Sequence, residues 1–412
     1  MADARLDLRL DARLLRTALA LGLAAAVSLG LARFSYALLL PPMRAELGWS
    51  YFTAGAMNTV NAAGYLAGAL LAPQVLARWD ARRVMLAGGC AAGVLLAAHG
   101  AVHSDAALFA LRAFTGLASA AGFVGGGLLA ARLATQPGAP AGLVLGLYYG
   151  GTGLGIVLSA LGVPVLGGRA GWGWVGVLSL LATAITALGT RALSAPPLPG
   201  AARAQARLKP LAYGLAGYTL FGMGYIGYMT FIVTLLREQG LAAPVITAFY
   251  AVLGLGVVAS SWLWAGLLQR HRSGRPQALL NGLLALATVL PVLSSHPVLV
   301  FVSGALFGSV FLSVVASTTA LVRHNLAPAA WASGIAAFTV VFALGQIVGP
   351  SLVGFVADAA ATTNGGVGMA NRMAGGLFGG LFGGLSGGLL LSAGVLALGS
   401  LLASRQRALP VA

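Results

Sequence analysis

Apolar residues in this chain come in long unbroken runs separated by short polar segments. Twelve such runs fall at roughly 17–40, 51–76, 84–103, 106–131, 142–166, 172–193, 211–236, 244–268, 277–295, 297–322, 332–357 and 378–403. About 20 residues of helix, at 1.5 Å per residue, cross the ~30 Å hydrocarbon of a bilayer. The pattern therefore predicts an all-α membrane protein with twelve transmembrane helices. The first run follows Arg13 and Arg16 and resembles a signal peptide. It is expected to stay uncleaved, because apolar spans continue to the end of the chain.

The polar segments set an expected orientation. With the N-terminus in the cytoplasm, the cytoplasmic segments hold 18 of the 24 basic residues and the outer loops hold four, Arg44, Arg169, Arg237 and Arg372. Arg33 and Arg112 lie inside spans. Cytoplasmic loops carry the excess of Lys and Arg, so both termini are expected inside, in a bacterial inner membrane. An odd number of spans would scramble the alternation.

Composition agrees with lipid as the main solvent. The chain is 59% apolar and 8% charged, against about 25% charged in an ordinary soluble domain. Its 60 glycines in 412 residues suit close helix packing in a membrane. The net charge of +16 does not point to nucleic acid, because the arginines are scattered through short loops and form no basic patch. The single cysteine, Cys90, excludes an internal disulfide and any multi-cysteine metal site. No motif for a cofactor or metal is present.

The second half repeats the first. An ungapped offset of 192 residues pairs Gly22 with Gly214, Gly30 with Gly222, Tyr36 with Tyr228, Gly64 with Gly256, Arg78 with Arg270, Arg83 with Arg275, Gly116 with Gly308 and Gly153 with Gly345. Two bundles are expected: residues 17–193 as the first six helices and 210–403 as the second. Residues 194–209 form a Pro- and Arg-containing cytoplasmic linker, and 1–16 and 404–412 form cytoplasmic tails. Residues 375–388, GGLFGGLFGGLSGG, read equally well as a glycine helix face or as a loop.

Several stretches carry a family resemblance. The loops LARWDARRV at 76–84 and GLLQRHRSGRP at 266–276 resemble the Gly-Asp-Arg-rich motif of the major facilitator superfamily. The first copy has Pro73 for the leading Gly and Ala77 for the acid, with Asp80 one turn on. Arg112-Ala-Phe-Thr-Gly116 and Gly345-Gln-Ile-Val-Gly349-Pro350 are also similar to motifs of that superfamily, while span 5 lacks the Gly-Pro pair of its antiporter motif. Gly30-Leu-Ala-Arg-Phe-Ser-Tyr36 with Leu40-Pro41-Pro42-Met43, and Asn61-Ala-Ala-Gly-Tyr-Leu-Ala-Gly68, are similar to the YbfB/YjiJ-like branch. The resemblance implies a monomeric secondary transporter with a central cavity lined by spans 1, 4, 7 and 10. It also implies a conformational latch from Arg78, Asp80, Arg82, Arg83, Arg270 and Arg275.

Candidate chemistry is confined to a few intramembrane polar side chains. A charge in hydrocarbon costs about 2.5–3.5 kcal/mol on insertion scales, so Arg33 and Arg112 need a cavity or a partner. No acid lies deep in a span. Two guanidiniums at one depth make an anion clamp; a packing role between helices is the competing reading for each. Asn58, Asn61 and Tyr65 share a face of span 2, and Tyr218, Phe221, Tyr225 and Tyr228 share a face of span 7. Tyr36, Thr115 and Gln346 complete the candidate substrate-binding set. The expected function is alternating-access transport of a small organic anion. Export of neutral or hydrophobic compounds is the alternative, and a non-transporting membrane receptor is a remote one. The short loops and the absence of a catalytic set speak against an enzyme.

Overall fold

The computed structural model describes residues 12–193, 206–365 and 383–409, with side chains up to 359 in the second stretch. The tail up to residue 11, linker residues 194–205 and repeat residues 375–382 lie outside the described residues. Among the described residues, twelve long helices follow one another. The first six are α1 (Ala12–Leu47), α2 (Tyr51–Leu76), α3 (Ala81–His99), α4 (Asp105–Ala134), α5 (Ala141–Leu166) and α6 (Gly168–Gly189). The second six are α7 (Ala212–Glu238), α8 (Ala243–Arg270), α9 (Arg275–Leu293), α10 (Pro297–Asn325), α11 (Trp331–Gly365) and α12 (Gly384–Ser404). All but α2 are long and apolar enough to cross a membrane. The 26-residue α2 carries Asn58 and Asn61, both buried. Exposed Leu70, Val165, Leu263, Phe355 and Leu401 suit contact with acyl chains.

Two ends differ from the sequence expectation. The last helix begins at Gly384, not at 378, so 384–388 of the glycine repeat is helical. The first helix passes through Pro41 and Pro42 and ends at Leu47, not at 40. Packed neighbours in a membrane make up for a proline's missing donor. The stop is Gly48, whose φ of 64° is left-handed and lets Trp49 N–H donate back to the Arg44 carbonyl at 3.1 Å. Gly240, 192 residues later, ends α7 in the same way with φ of 80°.

The helices pack as two six-helix bundles that obey the repeat. In the first, α1 packs on α5 and α6, α2 on α4, and α3 on α4 and α6. In the second, α7 packs on α11 and α12, α8 on α10, and α9 on α10 and α12. The bundles meet along α2–α11 and α5–α8, a pair that the repeat exchanges. Gly116 lets α4 lie against the Asn61 carbonyl of α2, and its mate Gly308 lets α10 lie against the Leu253 carbonyl of α8. The mates α1 and α7 run through the middle. Residues 24–40 of α1 and 224–236 of α7 are buried without a break. Such all-round burial marks a central helix and places any polar residue there at the core.

Residues 12 and 404 lie on one face, called here the terminal face; residues 48–50 and 239–242 lie on the opposite, distal face. Because backbone atoms meet the glycine positions directly, Gly116→Val and Gly308→Val should each cost about 1–3 kcal/mol, read as a lower apparent melting temperature. Gly394→Ala, where a Cβ meets nothing within 4 Å, should leave the melting temperature unchanged.

Candidate functional site

The site forms where α1 departs from regular helix. Residues Ala26–Phe34 are π-helical, and Ser35 N–H reaches back five residues to the Gly30 carbonyl at 3.1 Å. Such widened turns concentrate at functional sites. Arg33 and Phe34 sit at the end of the stretch.

Arg112 of α4 is fully buried and committed to the protein. Its Nη1 donates to the Ala32 carbonyl at 3.0 Å, inside the π-helical stretch. Its Nη2 donates to Asn58 Oδ1 at 3.2 Å. The guanidinium lies over the rings of Tyr36 at 4.9 Å and Trp172 at 5.9 Å. Asn61 Nδ2 donates to the Arg112 carbonyl at 3.1 Å. Tyr36 donates its hydroxyl to the Ala54 carbonyl at 2.8 Å, and Thr115 donates to Leu111 of its own helix at 2.7 Å. Arg112, Tyr36, Asn58 and Asn61 thus tie α1, α2 and α4 together, while Thr115 bonds only within α4.

Arg112 lacks a partner only at Nε; Arg33 has no hydrogen bond to the protein among the described residues. It is 3% exposed, and its buried Nε and Nη2 have no hydrogen-bond partner. Its guanidinium stands 5.7 Å from the Tyr65 ring centroid and within electrostatic range of the Tyr225 phenol. No acid among the described residues pairs with it. Among the described residues, Glu46 pairs with Arg169, Asp105 accepts from Trp49, Asp80 caps α3, and Glu238 and Asp358 act on the distal face. Within the second bundle, Gln346 of α11 donates its Nε2 to the Tyr225 hydroxyl, while its buried Oε1 has no partner. Two unpaired donors and one unpaired acceptor therefore line the same region, with Tyr65 and Tyr225 between them.

An aromatic wall stands beside them. Phe221 stacks on Tyr225 at 4.8 Å, Tyr218 on Phe342 at 4.9 Å, and Tyr225 on Phe311 at 5.8 Å. Phe34 meets Phe311 edge-on at 5.6 Å and joins the wall to α1. Tyr228 is turned into the second bundle, stacked on Phe307 at 4.0 Å with its hydroxyl 2.7 Å from Ser303.

The distal face is sealed across the bundles. Asp358 of α11 accepts from the Tyr51 and Phe52 amides at 2.9 and 2.8 Å, at the N-terminus of α2, where a carboxylate is stabilised by the helix dipole. Glu238 accepts from the Tyr51 hydroxyl and lies 3.7 Å from Arg44. Asn58 donates to Thr230 at 2.8 Å, Thr59 to the Ile347 carbonyl at 2.7 Å, and Tyr250 to the Phe34 carbonyl at 2.6 Å. Thr59 also meets Ser351 at 2.9 Å. These hydrogen bonds join the two bundles among the described residues, and all lie toward the distal face.

The same architecture occurs in solved transporters. A bacterial homologue of the human lysosomal transporter Spinster, inward-facing and unoccupied, superposes with a TM-score of 0.70 at 14% identity, covering 97% of this chain and 100% of its own. The nucleoside transporter NupG gives 0.68 at 15% identity, covering 95% and 100%. The human organic anion transporter MFSD10 gives 0.62 at 13% identity, covering 94% and 99%. No curated protein sequence matches the chain significantly. Residues 25–378 match the family described as "uncharacterised MFS-type transporter YbfB". The chain belongs to this family. It is a multi-pass membrane transporter of the major facilitator superfamily.

In this YbfB-type transporter, Arg33, Tyr65, Tyr218, Phe221, Tyr225 and Gln346 converge from α1, α2, α7 and α11. Sequence reasoning missed Phe311 and Phe342 in the wall, and Tyr250, Thr230, Tyr51, Arg44 and Glu238 in the seal. Phe342 stands one turn before Gln346, and Glu238 is the repeat mate of Glu46; both signals were present in the sequence. On the terminal face, Arg82 donates to the Ala187 carbonyl at 2.7 Å and to Thr190 at 3.2 Å, while Asp80 accepts from the Arg82 and Arg83 amides. In the second copy the bonding residue is Arg272, which donates to the His324 carbonyl at 2.9 Å. Both loops are thereby tied within their own bundle, and Arg78, Arg83, Arg270 and Arg275 are exposed.

Removing the two arginines should therefore have opposite effects on the unliganded protein. Arg112→Gln strands the Ala32 and Asn58 acceptors and should cost about 1–3 kcal/mol for each buried acceptor left unpaired. Arg33→Gln removes an unpaired buried charge and should melt no lower than the wild type. Thermal unfolding of both variants in detergent measures the difference.

Proposed function

We propose that this secondary transporter carries a small organic anion that bears a hydrogen-bond donor, with Arg33 as the charge that holds it. The observation that carries this reading is the buried guanidinium of Arg33, with Nε and Nη2 unpaired and no acid beside it. A carboxylate presents two oxygens to such a fork. The unpaired Gln346 Oε1 suits a hydroxyl or N–H on the same substrate, and the aromatic wall suits its apolar body. Arg112 enters as the residue that holds α1 and α2 in place, not as a second ligand. MFSD10, which shares the fold, is itself named as an organic anion transporter.

The bundles, residues 17–193 and 210–403, rock about this site in alternating access. The 18-to-4 bias of basic residues assigns the terminal face, with both chain ends, to the cytoplasm of a bacterial inner membrane. The sealed distal face is then the outer one. The chain acts as a monomer and needs no cofactor.

Proteoliposome uptake tests the reading. Wild type should take up hydroxycarboxylates in preference to their amides. Arg33→Gln should lower uptake by about 10–100-fold, the worth of one charge-assisted interaction of about 1.5–3 kcal/mol. Equal uptake by wild type and Arg33→Gln would sink it. Binding of neutral aromatic compounds that ignores Arg33 would favour the hydrophobic exporter, whose support is the wall from Tyr218 to Phe342.

A further inference from the structure

A cavity lies on the distal face, at the seam between the bundles, and its lining shares no residue with the Arg33 site. It encloses about 510 Å³ between the end of α1, with Arg44 and Trp49, and the end of α7, with Thr234, Arg237 and Glu238. That volume falls within the ~300–1,000 Å³ of small-ligand sites. Arg44 lies three turns beyond Arg33 on α1, about 16 Å along a helix axis.

The lining has more positive charge than it neutralises. Arg44 and Arg237 face a single acid, Glu238. The Arg44–Glu238 contact is 3.7 Å, too long for a hydrogen bond, and Glu238 already accepts the Tyr51 hydroxyl. The Nε of Arg44 is buried without a partner. Thr234 is 3% exposed, and its hydroxyl also lacks a partner. Arg237 is exposed at the rim. Trp49, buried and fixed by its indole N–H to Asp105 at 2.9 Å, gives the cavity a rigid apolar wall. The cavity thus offers guanidinium donors, a hydroxyl and an aromatic side, open to solvent at exposed Gly48 and Glu238.

We propose that this vestibule is a second, peripheral binding site for a small carboxylate, held by Arg44 and Arg237 with Thr234 beneath. A carboxylate there competes with Glu238 for Arg44. Its arrival weakens one of the contacts that seal the distal face, so the site doubles as the place where an anion loosens the gate. The proposal stands whether or not Arg33 binds the transported substrate.

Calorimetric titration of the full chain in detergent, with benzoate and succinate as probes, tests it. The Arg33→Gln background removes the central guanidinium and isolates the vestibule. At least one probe should still bind Arg33→Gln, more weakly at high salt because the rim is exposed. Adding Arg237→Gln should weaken that residual binding about tenfold, and adding Thr234→Val should weaken it in the same direction; both changes sit at a cavity wall and preserve size. Folded Arg33→Gln protein that binds neither probe would overturn the proposal. So would residual binding that neither Arg237→Gln nor Thr234→Val alters.

Discussion

An arginine inside a bilayer must be solvated by something, and this chain places no acid beside its two. The cost of an unsolvated charge there is several kcal/mol at least, so each arginine's surroundings report its purpose. Arg112 is solvated by the protein itself, through the Ala32 carbonyl, the Asn58 amide oxygen and two aromatic faces. Arg33 is also buried and has the Tyr65 ring and the Tyr225 phenol near its charge, with Nε and Nη2 unbonded. Arg112 keeps only its Nε without a partner, whereas Arg33 has both Nε and Nη2 open in the region of the unpaired Gln346 amide oxygen; that contrast is the basis for proposing an anion at Arg33.

The same contacts link that place to the distal seal. The π-helical stretch offers two carbonyls to side chains from outside: Ala32 to Arg112 of the same bundle and Phe34 to Tyr250 of the other. From Arg112 the chain of donors runs through Asn58 to Thr230, which donates to the Ile226 carbonyl at 2.6 Å, next to Tyr225. Both walls of the site are thus joined to one hydrogen-bonded path across the interface. Linked donors of this kind reinforce one another, and an anion that draws Arg33 toward it acts on the carbonyls at either side. Differential binding between open and closed arrangements is the only way a ligand can shift such an equilibrium, and this path supplies a route for it.

Much of the architecture was legible in the sequence because hydrocarbon imposes it. Span lengths, the offset of 192 and the loop chemistry follow from the thickness of a bilayer and from glycine positions such as Gly116 and Gly308. The end of α1 was not legible from Pro41 and Pro42, since packing overrides a proline's lost donor; the left-handed Gly48 decided it. In the site, the face carrying Asn58, Asn61 and Tyr65 was visible, but not that the two amides serve Arg112 while Tyr65 serves Arg33. Residue spacing gives the face of a helix and says nothing of which neighbour has already claimed a side chain's hydrogen bonds. Tyr250 and Thr230 stayed hidden for that reason, since each matters through a partner more than 150 positions away.

The division of labour between the two arginines is tested most directly by a structure of the protein with a bound hydroxycarboxylate. The carboxylate should sit on the Arg33 guanidinium, with its hydroxyl on Gln346 and with Arg112 still bonded to Ala32 and Asn58. A carboxylate bridging Arg33 and Arg112, or one seated away from both, would contradict that division.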